Sequence, residues 1–337
     1  MPTHRAVHVS SPGAALELVD AETTPPGRDE VRLTVTACGI CGTDAHFVAG
    51  GFPGMTWPFT PGHEIAGKIA EIGSGVQDFA VGDRVAVGWF GGCCYRCDQC
   101  RKGQFIHCLN GKVPSWQYPG GYAESVTVPV SALARIPDGL TDVEAAPMGC
   151  AGTTVYNALR HTKALPGDRV AILGVGGLGH LGVQFARAMG FETIAIARGT
   201  GKKDDAQKLG AHHYIDSTAS DPAEALIALG GATVVLATAG SSPAMAATVG
   251  GIAPQGELVT IGVTPEPLPI SPVQLINPGI SIVGHPSGTA KEVEDTMHFA
   301  VLSGVRAWIE ELPLAQAADG YAALEQGKAH YRTVLTM

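Results

Sequence analysis

The chain has 337 residues, of which 45% are hydrophobic and 16% charged, and its formal net charge is −9. This length suits about two soluble domains, and the acidic balance with no Lys/Arg run argues against nucleic acid or an anionic membrane as partner. No apolar run is long enough to span a bilayer, and Met1-Pro2-Thr3-His4-Arg5 lacks the basic-then-apolar pattern of a signal peptide. The expected location is therefore cytoplasmic, where the eight cysteines read as metal ligands or buried thiols rather than disulfides.

Residues 5–37 alternate apolar and polar in short runs such as Val31-Arg32-Leu33-Thr34-Val35-Thr36-Ala37, and Pro25-Pro26-Gly27 interrupts them. This is the pattern of half-buried strands and turns. Further strands are predicted over 64–72 and 84–87, with turns at Gly73-Ser74-Gly75 and Val81-Gly82-Asp83. Within this mainly β region stand Cys41-Gly42-Thr43-Asp44-Ala45-His46 and then Pro61-Gly62-His63-Glu64. They offer thiolate, hydroxyl, carboxylate and imidazole, and a catalytic zinc takes such donors while keeping one position open. Taken alone, Cys41 and His63 fit a buried strand thiol and a loop imidazole better, and the downstream sequence shifts that balance.

Cys94, Cys97, Cys100 and Cys108 follow, separated by two, two and seven residues. Four thiols so spaced predict a closed, tetrahedral zinc site in a loop over 91–110, structural because no position remains for substrate. Cys93 is an alternative to Cys94, but the two-residue spacing from Cys94 to Cys97 is the commoner chelate. Cys38 reads as a buried apolar thiol. Residues 122–130 return to strand-like sequence, and 145–154 open a helical segment around Cys150. In isolation Cys150 reads equally as a small buried residue or as a third ligand beside Cys41 and His63.

The pattern changes at Asp168. Val170-Ala171-Ile172-Leu173 has the continuous apolar character of a strand buried on both faces. It leads directly into Gly174-Val175-Gly176-Gly177-Leu178-Gly179 and a helix through Met189, followed by a strand over 193–197. In that context the glycines predict a dinucleotide-binding turn, where the backbone approaches a pyrophosphate at a helix N-terminus. Helices over 204–209, 223–229 and 244–249 then alternate with strands over 213–215, 233–237, 257–262 and 280–284, a doubly wound parallel sheet. A helix over 291–303 and a strand over 332–336 complete the chain, and the tail is expected to return to the first domain. Dinucleotide folds that prefer NAD place an acid at the tip of the second strand. Here the tip reads Ala197-Arg198-Gly199-Thr200-Gly201-Lys202-Lys203. Arg198 with one of the lysines, taken as Lys203, predicts pairing with a 2′-phosphate and hence NADP(H) over NAD(H). Asp204 and Asp205 fall on the next helix.

Taken in order, Cys41-Gly42-Thr43-Asp44, Gly62-His63-Glu64, the four cysteines, Cys150 and Gly174 to Gly179 resemble the medium-chain zinc-dependent alcohol dehydrogenase family. The resemblance covers nearly the whole chain and is strongest to the bacterial alcohol dehydrogenase and cinnamyl-alcohol-dehydrogenase-like branch. It implies a mainly-β GroES-like catalytic domain of residues 1–151 and 288–337 and a Rossmann domain of 152–287. It also implies two zinc ions per chain, a catalytic one on Cys41, His63 and Cys150 and a structural one on Cys94, Cys97, Cys100 and Cys108. Asp44 would orient His63, and Glu64 would be an occasional ligand. Thr43 would accept the alcohol proton and pass it through the nicotinamide ribose hydroxyl to His46. The nucleotide would lie on Gly174, Gly176, Gly177, Leu178, Gly179, Gly262 and Val263, with Arg332 on its pyrophosphate. Trp57 and Trp89 would wall the substrate pocket. Gly42 departs from relatives that place a basic residue or histidine there for a phosphate contact. The implied reaction is reversible hydride transfer from the zinc-bound alkoxide of a primary or aromatic alcohol to NAD(P)+, in a homodimer or homotetramer. A polyol or amino-alcohol dehydrogenase of the same superfamily and a non-catalytic NADP(H)-binding sensor are the alternatives.

Overall fold

The alternating N-terminal sequence forms strands β1 (Thr3–Val9), β2 (Leu16–Glu22) and β3 (Glu30–Ile40). After a short helix, Gly42–Val48, come β4 (Ile65–Ile72), β5 (Arg84–Val87), β6 (Ser125–Pro129) and β7 (Ala134–Arg135). A second series follows: β8 (Arg169–Leu173), β9 (Glu192–Ala197), β10 (His213–Asp216), β11 (Ala232–Ala237), β12 (Ile252–Thr260) and β13 (Ser281–Gly284). The last strands are β14 (Ile309–Pro313) and β15 (Arg332–Thr336). This computed structural model describes residues 2–337. Among them no helix is long and apolar enough to cross a membrane.

The chain divides into two units. The first comprises the residues up to Thr153 with Ser287–Leu302 and Arg306–Met337, and the second comprises Thr154–Pro286 with Ser303–Val305. In the first, β14-β15-β3-β4-β5-β7 form one sheet in that order, β6 also pairs with β3, and β1 and β2 form a separate antiparallel pair. Strand β3 is the hub. Along its first half Val31, Leu33 and Val35 are buried while Arg32, Thr34 and Thr36 are not, but from Ala37 to Ile40 every residue is buried. Alternation ceases because the end of the strand is covered on both faces. There β15 pairs with it, Thr333 opposite Ile40 and Thr336 opposite Ala37, which places the end of the chain in this sheet.

In the second unit all six strands are parallel, in the order β10-β9-β8-β11-β12-β13. The doubly wound sheet predicted from residues 170–284 is present. Strand order reverses between β8 and β11, and the crevice at the carboxyl ends of such a switch point is where this architecture takes ligands. Sequence reasoning missed β14 and the helices Pro272–Ile276 and Ala317–Glu325. Strand β14 lies at the sheet edge and carries Glu310 and Glu311, so it has no apolar alternation. Helix Pro272–Ile276 is too short to show a helical period, although Ser271 with Gln274 is a capping box and Pro272 opens the first turn.

One carboxylate anchors the approach to Cys150. Asp142 Oδ1 accepts from Arg84 Nε and Nη2 at 2.8 and 2.6 Å, and Oδ2 accepts from Thr36 Oγ1 at 2.7 Å. The short helix Asp142–Ala145 is thereby tied to β5 and β3 before the chain turns through Ala146–Gly149 to Cys150. Replacing Asp142 with Ala removes a charge-assisted fork, and denaturant titration should show the first unit destabilised by about 2 kcal/mol.

Candidate functional site

Cys41 follows β3 directly and caps the helix Gly42–Val48. Asp44, at the third helical position, turns back so that its Oδ2 accepts the Cys41 N–H at 2.9 Å. The same carboxylate pairs through Oδ1 with His63 Nδ1 at 3.1 Å, and both side chains are fully buried. This contact puts the ring proton on Nδ1 and turns Nε2 toward the thiols, the usual arrangement for a metal-binding imidazole. One donor atom each from Cys41, His63 and Cys150 lies within 4.8 Å of the others. Cys150 reaches this point because the backbone crosses itself: a Cβ on Gly88 would stand 1.8 Å from Gly149 O.

His63 Nε2, Glu64 Oε1 and Arg332 Nε are all buried with no hydrogen-bond partner. Native interiors rarely leave such atoms unmatched unless a ligand satisfies them. The Cys150 thiol, by hydrogen bonding, pulls Cys41 well below the usual thiol range, against its burial, and Cys150 itself is pushed up. Burial works to lower the His63 pKa, but Asp44 and Cys41 outweigh it and hold it well above its usual value. Cys41 is thus poised as a thiolate while His63 and Cys150 hold protons that a divalent cation would displace, and the donor set fits zinc. Glu64 is pushed up to about 7 by burial, with the Arg332 guanidinium pulling the other way. Arg332 Nη2 donates to Glu64 Oε2, and Gly39 leaves the room, since a Cβ there would strike that oxygen. The resemblance assigns Arg332 to a pyrophosphate, and nothing in the sequence pattern points to this buried pair.

A second group forms in the loop over 91–110. Single sulfurs of Cys94, Cys97, Cys100 and Cys108 lie within 4.8 Å of one another, and Cys94 rather than Cys93 belongs to the set. Backbone N–H groups of Cys94, Cys97 and Leu109 point at the sulfurs of Cys108, Cys94 and Cys97 at 3.3, 3.4 and 3.5 Å. Such donors stabilise thiolates, and Cys94 is pulled down to about 6, first by the N–H of Arg96 and then by Asn110. The four-sulfur geometry suits a closed tetrahedral zinc site.

Thr43 is half-buried with its hydroxyl 3.8 Å from Cys41 Sγ, and His46, three residues along the helix, is exposed. Three-residue spacing puts both on one helical face. Trp89 meets the His63 ring edge-on, centroids 5.6 Å apart, and Phe47 stands 5.9 Å from it. Phe52 lies 4.5 Å from Phe47, and Trp116 lies 4.9 Å from Phe52. Sequence reasoning found Trp89 but missed Phe47, Phe52 and Trp116, which have no shared spacing to reveal them. Trp57 shares the same apolar cluster, but its ring lies on Phe59, at 4.9 Å, rather than on His63. Gly42 is exposed, and a side chain there would meet nothing within 4 Å.

In the second unit a cleft of about 530 Å³ opens at the carboxyl ends of β8 and β9, lined by Gly174, Gly176, Ala197, Arg198 and Lys202 among others. Gly179 is obligatory: a Cβ there would lie 1.8 Å from Gly174 O. Gly177 and Leu178 complete the turn into helix Gly179–Ala188, for which Leu178 is the capping residue. Gly262 follows β12, its N–H bonded to Ala237 O at 2.9 Å, and Val263 is 68% exposed. The lysine that lines the cleft is Lys202, while Lys203 begins helix Lys203–Lys208 and is exposed. None of the residues lining the cleft is acidic. The nearby Asp216 is occupied, its Oδ1 accepting from Gly199 N, Thr218 N and Thr218 Oγ1 at 2.7, 2.9 and 2.7 Å.

Residues 27–138 match the alcohol dehydrogenase GroES-like domain family, and residues 177–301 match the zinc-binding dehydrogenase family. The chain is 39% identical over 335 residues to the alcohol dehydrogenase patD of Penicillium expansum, covering 99% of this chain and 98% of that protein. Among solved structures it is similar to the Helicobacter pylori CAD complexed with NADP(H), with a TM-score of 0.87 at 26% identity over 99% of this chain and 98% of that one. It is also similar to the acetophenone reductase of Geotrichum candidum in complex with NAD, with a TM-score of 0.88 at 27% identity over 100% and 98% of the two chains.

The Gly88 crossing makes a direct prediction. Gly88→Ala should push the Cys150 segment away, cost about 1–3 kcal/mol of stability as overpacking does, and lower zinc retention at Cys41, His63 and Cys150. Zinc analysis after graded chelation should show the four-cysteine loop unaffected.

Proposed function

The chain belongs to the medium-chain zinc-dependent alcohol dehydrogenase family, and on that premise we propose that it interconverts primary or aromatic alcohols and their aldehydes with NADP(H). The convergence of Cys41, His63 and Cys150 around a buried, unpartnered His63 Nε2 supports this reading most directly. Cys41, His63 and Cys150 would hold a catalytic zinc, and Cys94, Cys97, Cys100 and Cys108 a structural one. When bound, zinc supplies a Lewis acid that lowers the hydroxyl pKa of an alcohol by several units, and nicotinamide supplies the hydride acceptor.

The chain's own residues do the rest. Asp44 fixes the tautomer and aim of His63. Thr43 would relay the hydroxyl proton, releasing its own as it accepts the substrate's, and His46, exposed on the same helical face, would pass the released proton to solvent. Trp89 and Phe47, backed by Phe52 and Trp116, form an apolar wall beside His63 that excludes water and favours an apolar or aromatic substrate. The enzyme would act in the cytoplasm as a homodimer or homotetramer.

Two groups support NADP(H). Arg198 and Lys202 line the cleft beyond β9, and no acid there repels a 2′-phosphate. The fold carries NADP(H) in the H. pylori protein and NAD in the Geotrichum reductase, so the fold by itself does not decide between them.

Purified protein should contain about two zinc ions per chain and reduce NADP+ with primary or aromatic alcohols. Cys41→Ser should abolish turnover and remove one zinc. A zinc-loaded chain that oxidises or reduces no member of an alcohol and aldehyde panel with either cofactor would sink the proposal. For cofactor choice, kcat/KM should favour NADP(H), and the variant Ala197→Asp/Arg198→Ala should reverse the order. A native preference for NAD(H) of about tenfold or more, roughly 1.4 kcal/mol, would refute it.

A further inference from the structure

The Asp44 carboxylate has a donor that the proposed chemistry does not use. Tyr122 Oη donates to Asp44 Oδ2 at 2.9 Å, and both side chains are fully buried. Asp44 Oδ2 is thus shared between the Tyr122 hydroxyl and the Cys41 N–H, while Oδ1 faces His63 Nδ1. Each donor comes from a different segment, so the three together fix both the position and the rotation of the carboxylate.

Tyr122 is itself held on two sides. Its N–H donates to Pro61 O at 2.9 Å, in the loop that carries His63, and its carbonyl accepts from Val7 N in β1 at 2.8 Å. Its ring fills the space left by Gly62, where a Cβ would lie 2.4 Å from Tyr122 Cδ1. Water has no access to Asp44 and cannot replace a lost donor.

We propose that Tyr122 is a positioning residue of the Cys41–His63–Cys150 metal site, locking Asp44 so that His63 Nε2 stays aimed at the two thiols. This rests on reading that site as the catalytic zinc site. Removing the hydroxyl leaves Asp44 Oδ2 with the Cys41 N–H alone and frees the carboxylate to rotate away from His63. Loss of such an outer contact lowers metal affinity by about 10–100-fold.

Tyr122→Phe keeps the ring and deletes one donor. Zinc-loaded protein is titrated with chelators of graded strength, without substrate or nucleotide, following the two sites separately. Tyr122→Phe should weaken zinc binding at Cys41, His63 and Cys150 by roughly tenfold or more and leave the four-cysteine site unchanged. The visible bands of cobalt placed in the Cys41 site should shift, and the variant should add no further effect in an Asp44→Asn background. Tyr118→Phe is the control, since Tyr118 Oη donates to Gly91 O at 3.0 Å, away from Asp44. Wild-type zinc affinity and cobalt spectrum in Tyr122→Phe would overturn the inference, as would equal weakening by Tyr118→Phe. Because the readout is metal affinity, a chain that shows these effects but turns over no alcohol overturns the proposed function and leaves this inference standing.

Discussion

A single buried carboxylate disciplines the first unit. Asp44 has no exposure to solvent, and its oxygens are matched by the backbone of Cys41, the imidazole of His63 and the phenol of Tyr122. An uncompensated charge in such a place costs several kcal/mol, so the folded state must bring the end of β3, the loop before β4 and the segment before β6 together. Meeting that electrostatic condition assembles two of the three donors at the same time. Folding and site formation are in this respect one event. The neighbouring pair Glu64 and Arg332 repeats the principle, a buried acid and base that each make the other tolerable.

The residues with chemistry were legible because their types are rare in combination. Cys41, His63, Cys150 and the four closely spaced cysteines announce soft-metal sites through donor identity and spacing. The glycine turn is legible because it joins a continuous apolar strand to a helix. What escaped is what depends on contact between distant segments. Nothing in Trp89, Phe47, Phe52 and Trp116 shows that they share one wall. Tyr122 reads as an ordinary strand aromatic until its hydroxyl is seen on Asp44. That Lys202 lines the cleft while Lys203 opens a helix turns on where the helix begins, a boundary that adjacent lysines do not mark. Arg332 was recognised as special, but its partner lies 268 positions away in the chain.

The two sulfur-rich sites differ in how they are built. Around Cys41, the donors sit in the core and the backbone is cross-braced by the close passage of Gly88 and Gly149. In the loop over 91–110 three of the four cysteines are only half-buried, and short-range N–H groups, rather than a surrounding core, prepare the sulfurs. The first site is shaped by tertiary packing and the second by local loop geometry. A closed four-sulfur centre, as proposed for the loop, would need nothing more, whereas a site that kept one position open would have to be shaped from outside.

The exposed turn beyond β9 has a consequence of another kind. Arg198 stands in solvent at the tip of the second strand, outside the apolar core of that unit. In the proposed function, part of the charge that a nucleotide's adenosine end would meet is therefore carried by this exposed arginine. Which electron-carrier pool of the cell the chain is coupled to would then be a surface trait, adjustable by a change or two in a turn. The donor side chains of Cys41, His63 and Cys150, by contrast, lie in the interior, where few alterations fit. Metabolic wiring and reaction type are thus held by parts of the sequence under very different physical constraint.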